Sequence, residues 1–170
     1  MNLKSDIECQ PKNKDRSGFS MVEIVVVLGF LAMVMVVLGQ LSISFLGAVA
    51  SGELQLRANA IGSETIEALK IIKDDDWNNL TGLSMATPYY LTYSTATQEW
   101  SVVSSDPGKI DGIFSRSFTV SPVNRDDITG QIVFSGGSPD SKTLLVEANV
   151  DWIYKSINKN FKLTTYLAGY

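Results

Sequence analysis

Few side chains in this sequence are equipped for bond-making chemistry. There is no histidine among the 170 residues, which removes the commonest metal ligand and the commonest general base at neutral pH. No Ser, Lys or Asp has the partners that an activated nucleophile needs. Two groups remain that could bind something. Asp74, Asp75 and Asp76 form a carboxylate run of a kind that suits a hard cation such as calcium. Their spacing matches no calcium loop, and three consecutive side chains cannot all face one ion, so a solvated helix end is the plainer reading. Asp126 and Asp127 read the same way. Lys155, Lys159 and Lys162 beside Tyr154 and Phe161 offer a basic and aromatic surface of the type that grips nucleic acid, or simply a solvated hairpin. An enzyme is not expected, nor is any cofactor.

The residue that most needs a chemical explanation is Glu23. Between it and Glu53 run 29 residues without a charge, about 43 Å of helix at roughly 1.5 Å per residue. That exceeds the roughly 30 Å apolar thickness of a bilayer. A secretory signal has an apolar region of only about 7 to 15 residues, so this segment reads as a membrane helix that is retained. A carboxylate inside such a run costs roughly 2.5 to 3.5 kcal/mol and usually has a dedicated partner.

Gly18, Phe19 and Glu23, preceded by Lys12, Lys14 and Arg16 and followed by the long apolar stretch, resemble the processing and assembly signal of type IV pilins and type II secretion pseudopilins. The resemblance implies cleavage between Gly18 and Phe19 by a prepilin peptidase on the cytoplasmic side, with Phe19 then N-methylated. It further implies that Glu23 neutralises the Phe19 amine of a neighbouring subunit in a filament. Such a pairing is physically reasonable, because a buried carboxylate is tolerable when paired and very unfavourable when alone. The stretches ETIEALKIIKDDDW, EANVDWIY and FKLTTYLAGY are similar to those of minor pilins of the type IV pilus modification, PilV-like, kind. The partners implied are other pilin or pseudopilin subunits, the prepilin peptidase, an inner-membrane assembly platform and, before assembly, membrane lipid. No nucleotide-binding loop is present, so any force-generating ATPase acts from outside this chain.

Charge and cysteine content fit that reading. The basic residues just before the apolar run keep the N-terminal end cytoplasmic, and everything after the helix then lies outside the cytoplasm. The localisation expected is a single pass through the inner membrane, followed by the pilus or pseudopilus. The chain carries 14 basic and 18 acidic side chains, of which residues 1–18 hold four and three, so the remainder stands near −5. Nucleic acid is an improbable partner for such a surface. The only cysteine, Cys9, lies ahead of the expected cut, leaving the processed chain to hold its fold by packing alone.

These considerations set the elements. Residues 1–18 are a cytoplasmic leader, and residues 19–50 the transmembrane and filament-core half of a helix. Residues 51–80 are its amphipathic half and a turn, and residues 81–170 a β-sheet head. Gly29, Gly39 and Gly47 are small enough for close helix approach. Many of the pilin class carry a proline in this helix and residues 19–50 have none, which leaves open whether it bends. From Gly52, the residues Leu54, Ala58, Ile61, Thr65, Ala68 and Ile72, with Leu69, follow the spacing of one helix face, and Arg57, Ser63, Glu64, Glu67 and Lys70 lie on the other. The helix is expected to stop near Lys73, because three acids at a C-terminus oppose the macrodipole.

Strand alternation predicts a hairpin from residues 89–94 and 99–103, with Tyr89, Tyr90, Tyr93 and Trp100 as strand aromatics or an adhesive patch. It also predicts a strand over 113–120 with Phe114, Phe118 and Val120 on one face, and a weaker strand over 128–135. The closing hairpin pairs Leu144, Val146, Ala148, Val150 and Trp152 with Phe161, Leu163, Thr165 and Leu167 across a turn over 155–160. Trp152 is expected in the core. The fold expected is α+β and pilin-like: one long N-terminal helix, membrane-spanning in its first half, packed on a mainly antiparallel sheet. The rival from another class is a single-pass anchored extracytoplasmic binding or sensor protein whose signal anchor is never cut.

Overall fold

An uninterrupted run without proline from Met21 onward permits one continuous helix, and the computed structural model, which describes residue 18 and residues 20–169, contains it. Residues 1–17, with Cys9, Lys12, Lys14 and Arg16, and also Phe19, lie outside the described residues. The first helix, α1, spans Met21–Asp75. It runs two residues beyond the stop expected at Lys73. The Lys73 ammonium lies 2.9 Å from the Asp74 carboxylate and brings positive charge to the last turn, which offsets the unfavourable acids there. Asp76 then ends the helix: its Oδ1 accepts the Asn78 N–H at 2.9 Å, the local bond by which aspartate turns a chain. A single further turn of helix, α2, covers Asn78–Thr81.

The chain divides into two compact units, Met1–Gly47 and Ala48–Tyr170. In the second, α1 residues pack on antiparallel strands, so the fold is α+β as expected. The strands are β1 (Tyr90–Ser94), β2 (Glu99–Val103), β3 (Ser115–Arg125), β4 (Ile132–Val133), β5 (Ser138–Tyr154) and β6 (Ile157–Ala168). β1 and β2 form the predicted hairpin, and the other four are ordered β4-β3-β5-β6. Reciprocal backbone bonds between Tyr89 and Phe118, 2.8 Å each way, join the hairpin to β3. Among the described strands β2, β4 and β6 therefore each have a neighbour on one side only.

Two apolar clusters hold this unit together. The larger joins Ile66, Leu69 and Ile72 of α1 to Leu91, Phe118, Val120, Leu144, Val146 and Leu167. The smaller joins Ala58 and Ile61 to Phe114, Val150 and Trp152. The helix stripe is the predicted one, widened by buried Gly62 and Ile66. Thr65 fits inside because its hydroxyl donates to the Ile61 carbonyl at 2.7 Å, which removes the cost of an unbonded buried polar group. Leu144, Val146, Ala148, Val150 and Trp152 are all buried. Val146 stands opposite Thr165, Ala148 opposite Leu163 and Val150 opposite Phe161.

Three strand expectations are corrected. Phe114 is buried, but it sits before β3 in a tight loop closed by its bridge to Ile110. β3 itself continues past the expected end to Arg125, carrying Pro122. Its register against β5 shifts between Pro122 and Val123, as expected where proline has no N–H to give the ladder. The strand expected over 128–135 shrinks to Ile132–Val133. Asp126 accounts for this, since its Oδ1 accepts the Ile128 N–H at 3.0 Å and the Thr129 N–H at 2.7 Å and pulls the segment into a turn. Finally, the turn of the last hairpin is only Lys155 and Ser156, both at positive φ, 50° and 63°. That is the conformation of the tightest hairpin connection, and it leaves residues 157–160 to the strand.

Candidate functional site

The Ser20 carbonyl accepts the Ile24 N–H at 3.2 Å, so α1 begins directly after Ser20 and Glu23 falls in its first turn. A carboxylate is electrostatically favoured there by the unsatisfied N–H groups of the helix start. Glu23 is exposed and takes part in no hydrogen bond or ion pair among the described residues. Gly18 is exposed as well, and a Cβ built on it meets nothing within 4 Å. Phe19, the other expected processing residue, lies outside the described residues.

Around Glu23 the helix is apolar on every side. Met21, Phe30 and Ile43 are 84%, 71% and 73% exposed. None of the most apolar stretch of the helix is buried. α1 is thus long and apolar enough to cross a membrane. An exposed apolar surface of this size marks a membrane or protein interaction site, and the helix is compatible with a single-pass membrane anchor. A Cβ built on Gly29 or Gly39 meets nothing within 4 Å; their flat sides are available to a neighbour.

The other predicted groups are dispersed. Asp74 pairs with Lys73 and Asp76 with the Asn78 N–H, while Asp75 points to a groove beside the β1–β2 hairpin. No group of three metal-ligating side chains converges among the described residues. The lysine and aromatic cluster is divided between the two faces of the sheet. Phe161 packs toward Ala58 and Ile61. Lys162, its neighbour in sequence, turns to the opposite face and lies 2.8 Å from Glu147. Lys155 folds over the Tyr154 ring at 5.3 Å. Among the aromatics considered for adhesion, Tyr89 stacks at a tilt on Phe118, 6.1 Å between centroids, and Tyr93 on Trp100 at 5.1 Å.

One residue that the local patterns do not single out ties four elements together. Arg116 of β3 is only 9% exposed in its side chain and lies 3.0 Å from Glu64 of α1. It also donates to the Leu91 carbonyl of β1 at 3.4 Å and sits 5.1 Å from the Trp100 ring of β2, within cation–π range. The signal available in the sequence was its position: alternation with Phe114, Phe118 and Val120 puts an arginine on the inward face. Comparison with family models, with curated proteins and with solved structures gives no match to this chain.

Proposed function

We propose that this chain is a structural subunit, a minor pilin or pseudopilin, of a type IV pilus or a related type II secretion filament. Processing between Gly18 and Phe19 frees an amine that meets Glu23 of an adjoining subunit. The observation that carries the reading is Glu23 itself, an exposed carboxylate without a partner among the described residues, in the first turn of a helix whose next 29 residues carry no charge. An ordinary anchor has no use for it, whereas a filament of packed helices does: one buried amine and one buried carboxylate each become tolerable through the other. An α+β fold with one long N-terminal helix on an antiparallel sheet is compatible with the pilin class.

The role is mechanical rather than catalytic, with assembly energy supplied by other proteins. The test is intact-mass and N-terminal analysis of the full chain co-expressed with an active prepilin peptidase. The expected product begins at a methylated Phe19. Retention of residues 1–18 would leave the rival, an uncleaved single-pass binding or sensor protein, in possession.

A further inference from the structure

Within the second unit, an open groove of about 680 Å³ runs between the last turns of α1 and strand β2. One wall carries Ile71, Asp75 and Leu83, the other Glu99, Trp100 and Val102. β2 pairs with β1 on its far side, and no backbone bond from any described residue reaches its groove side. In an antiparallel strand alternate residues aim their N–H and C=O groups to the same side, so β2 offers a short row of unpaired donors and acceptors to the groove.

Two further observations say what belongs there. Ile71 is 57% exposed although it falls on the helix flank of Glu64 and Glu67, seven and four residues earlier, where a polar side chain is expected. An apolar side chain there is covered only when something lies in the groove. The charged side chains that line the groove, Asp75 and Glu99, are both acidic and are in no ion pair among the described residues, while Arg116, 5.1 Å from the Trp100 ring, is held by Glu64. The C-terminal end of α1 adds the negative pole of its dipole at the same place, and Lys73 is already engaged by Asp74.

We propose that this groove binds an extended cationic peptide segment of a partner protein. The segment adds as a strand to β2, lays an apolar side chain against Ile71 and Trp100, and brings a Lys or Arg to Asp75 and Glu99. The backbone bonds supply affinity for any extended chain, and the isoleucine and the two carboxylates select which. This inference does not depend on the filament reading.

The test uses the full chain in lipid nanodiscs and a fluorescein-labelled peptide, Lys-Thr-Val-Thr-Val-Thr-Lys, followed by fluorescence anisotropy. Saturable binding in the micromolar to sub-millimolar range is expected. Asp75→Lys with Glu99→Lys weakens it by about tenfold or more, as does Ile71→Asn, which removes the apolar contact without adding charge, a factor of ten being about 1.4 kcal/mol. These side chains are exposed, so thermal unfolding should remain at its wild-type midpoint. The same peptide methylated at alternate backbone nitrogens keeps its charge and side chains but cannot pair, and it should not bind. The proposal is overturned by absent saturable binding, by equal binding of the methylated peptide, or by indifference to both groove variants. It is also overturned if the free edge of β6 from a second copy fills the groove. In that case the full chain self-associates in sedimentation, Ile71→Asn abolishes this, and the peptide does not bind.

Discussion

Gly62 of α1 lies directly on the ring of Phe161 of β6. A Cβ built at position 62 would stand 2.8 Å from Phe161 Cε1 and 3.2 Å from Cδ1, closer than carbon atoms tolerate. The glycine costs the helix roughly 0.8 to 1.0 kcal/mol relative to alanine, and it is retained where the helix comes down on the sheet. Gly62→Val should therefore destabilise the full chain by about 1 to 3 kcal/mol through overpacking. Most of that loss should vanish in a Phe161→Ala background, as measured by denaturant unfolding in detergent. An unchanged midpoint for the single variant means that the helix is not seated on this ring.

Acid should loosen the second unit through three carboxylates. The Thr143 hydroxyl, then the Arg125 guanidinium and the Lys142 N–H, hold Asp140 at about 2, below its ordinary 3.8. The N–H and hydroxyl of Thr129, with the Ile128 N–H, lower Asp126, and Lys162 lowers Glu147 against the opposing effect of its burial. Each binds fewer protons folded than unfolded, so its contribution is present above the unfolded value and is lost as pH falls through the folded one. Melting temperature should fall steadily from about pH 4 to about pH 2. Asp140→Asn should lower it at pH 7 and flatten the acid decline; an equally steep decline in that variant would show that Asp140 takes no part.

Ser156 occupies the left-handed region, φ 63°, where a residue with a Cβ loses roughly 1 to 2 kcal/mol. Ser156→Gly should stabilise the final hairpin by about 1 kcal/mol after the extra flexibility of glycine in the unfolded chain is deducted. Hydrogen exchange of the β5–β6 amides offers a direct readout, with slower exchange expected. Faster exchange would mean that the serine makes a compensating contact.

Glu23→Ala removes a carboxylate from the edge of the apolar run and with it an insertion cost, so the variant should reach the membrane at least as well as the wild type. In filaments it leaves the amine of an adjoining subunit buried and alone, at roughly 3 to 5 kcal/mol. Recovery in sheared filaments should drop about tenfold or more. Equal recovery of the two proteins removes the basis of the assembly reading.

The faces of the elements were legible in the residues alone. A 29-residue stretch without charge reads as a helix long and apolar enough to cross a membrane, and strict alternation from Val146 to Trp152 reads as a strand with one buried side. The helix stripe from Ala58 to Ile72 was equally plain, because its period is set by backbone geometry, whatever it packs against. Tertiary structure decided how those faces meet. Residues 128–135 look like a strand, yet the Asp126 carboxylate collects their N–H groups into a turn. Alternation alone puts Arg116 on the inward face, but only the convergence of Glu64, Leu91 and Trp100, distant in sequence, gives its guanidinium partners there. Gly62 has a purpose only once Phe161 lies beneath it, and the groove at β2 exists only because that strand pairs on one side. Periodicity is a local property of the chain and can be read one segment at a time. Contacts between segments depend on distances that no single segment contains.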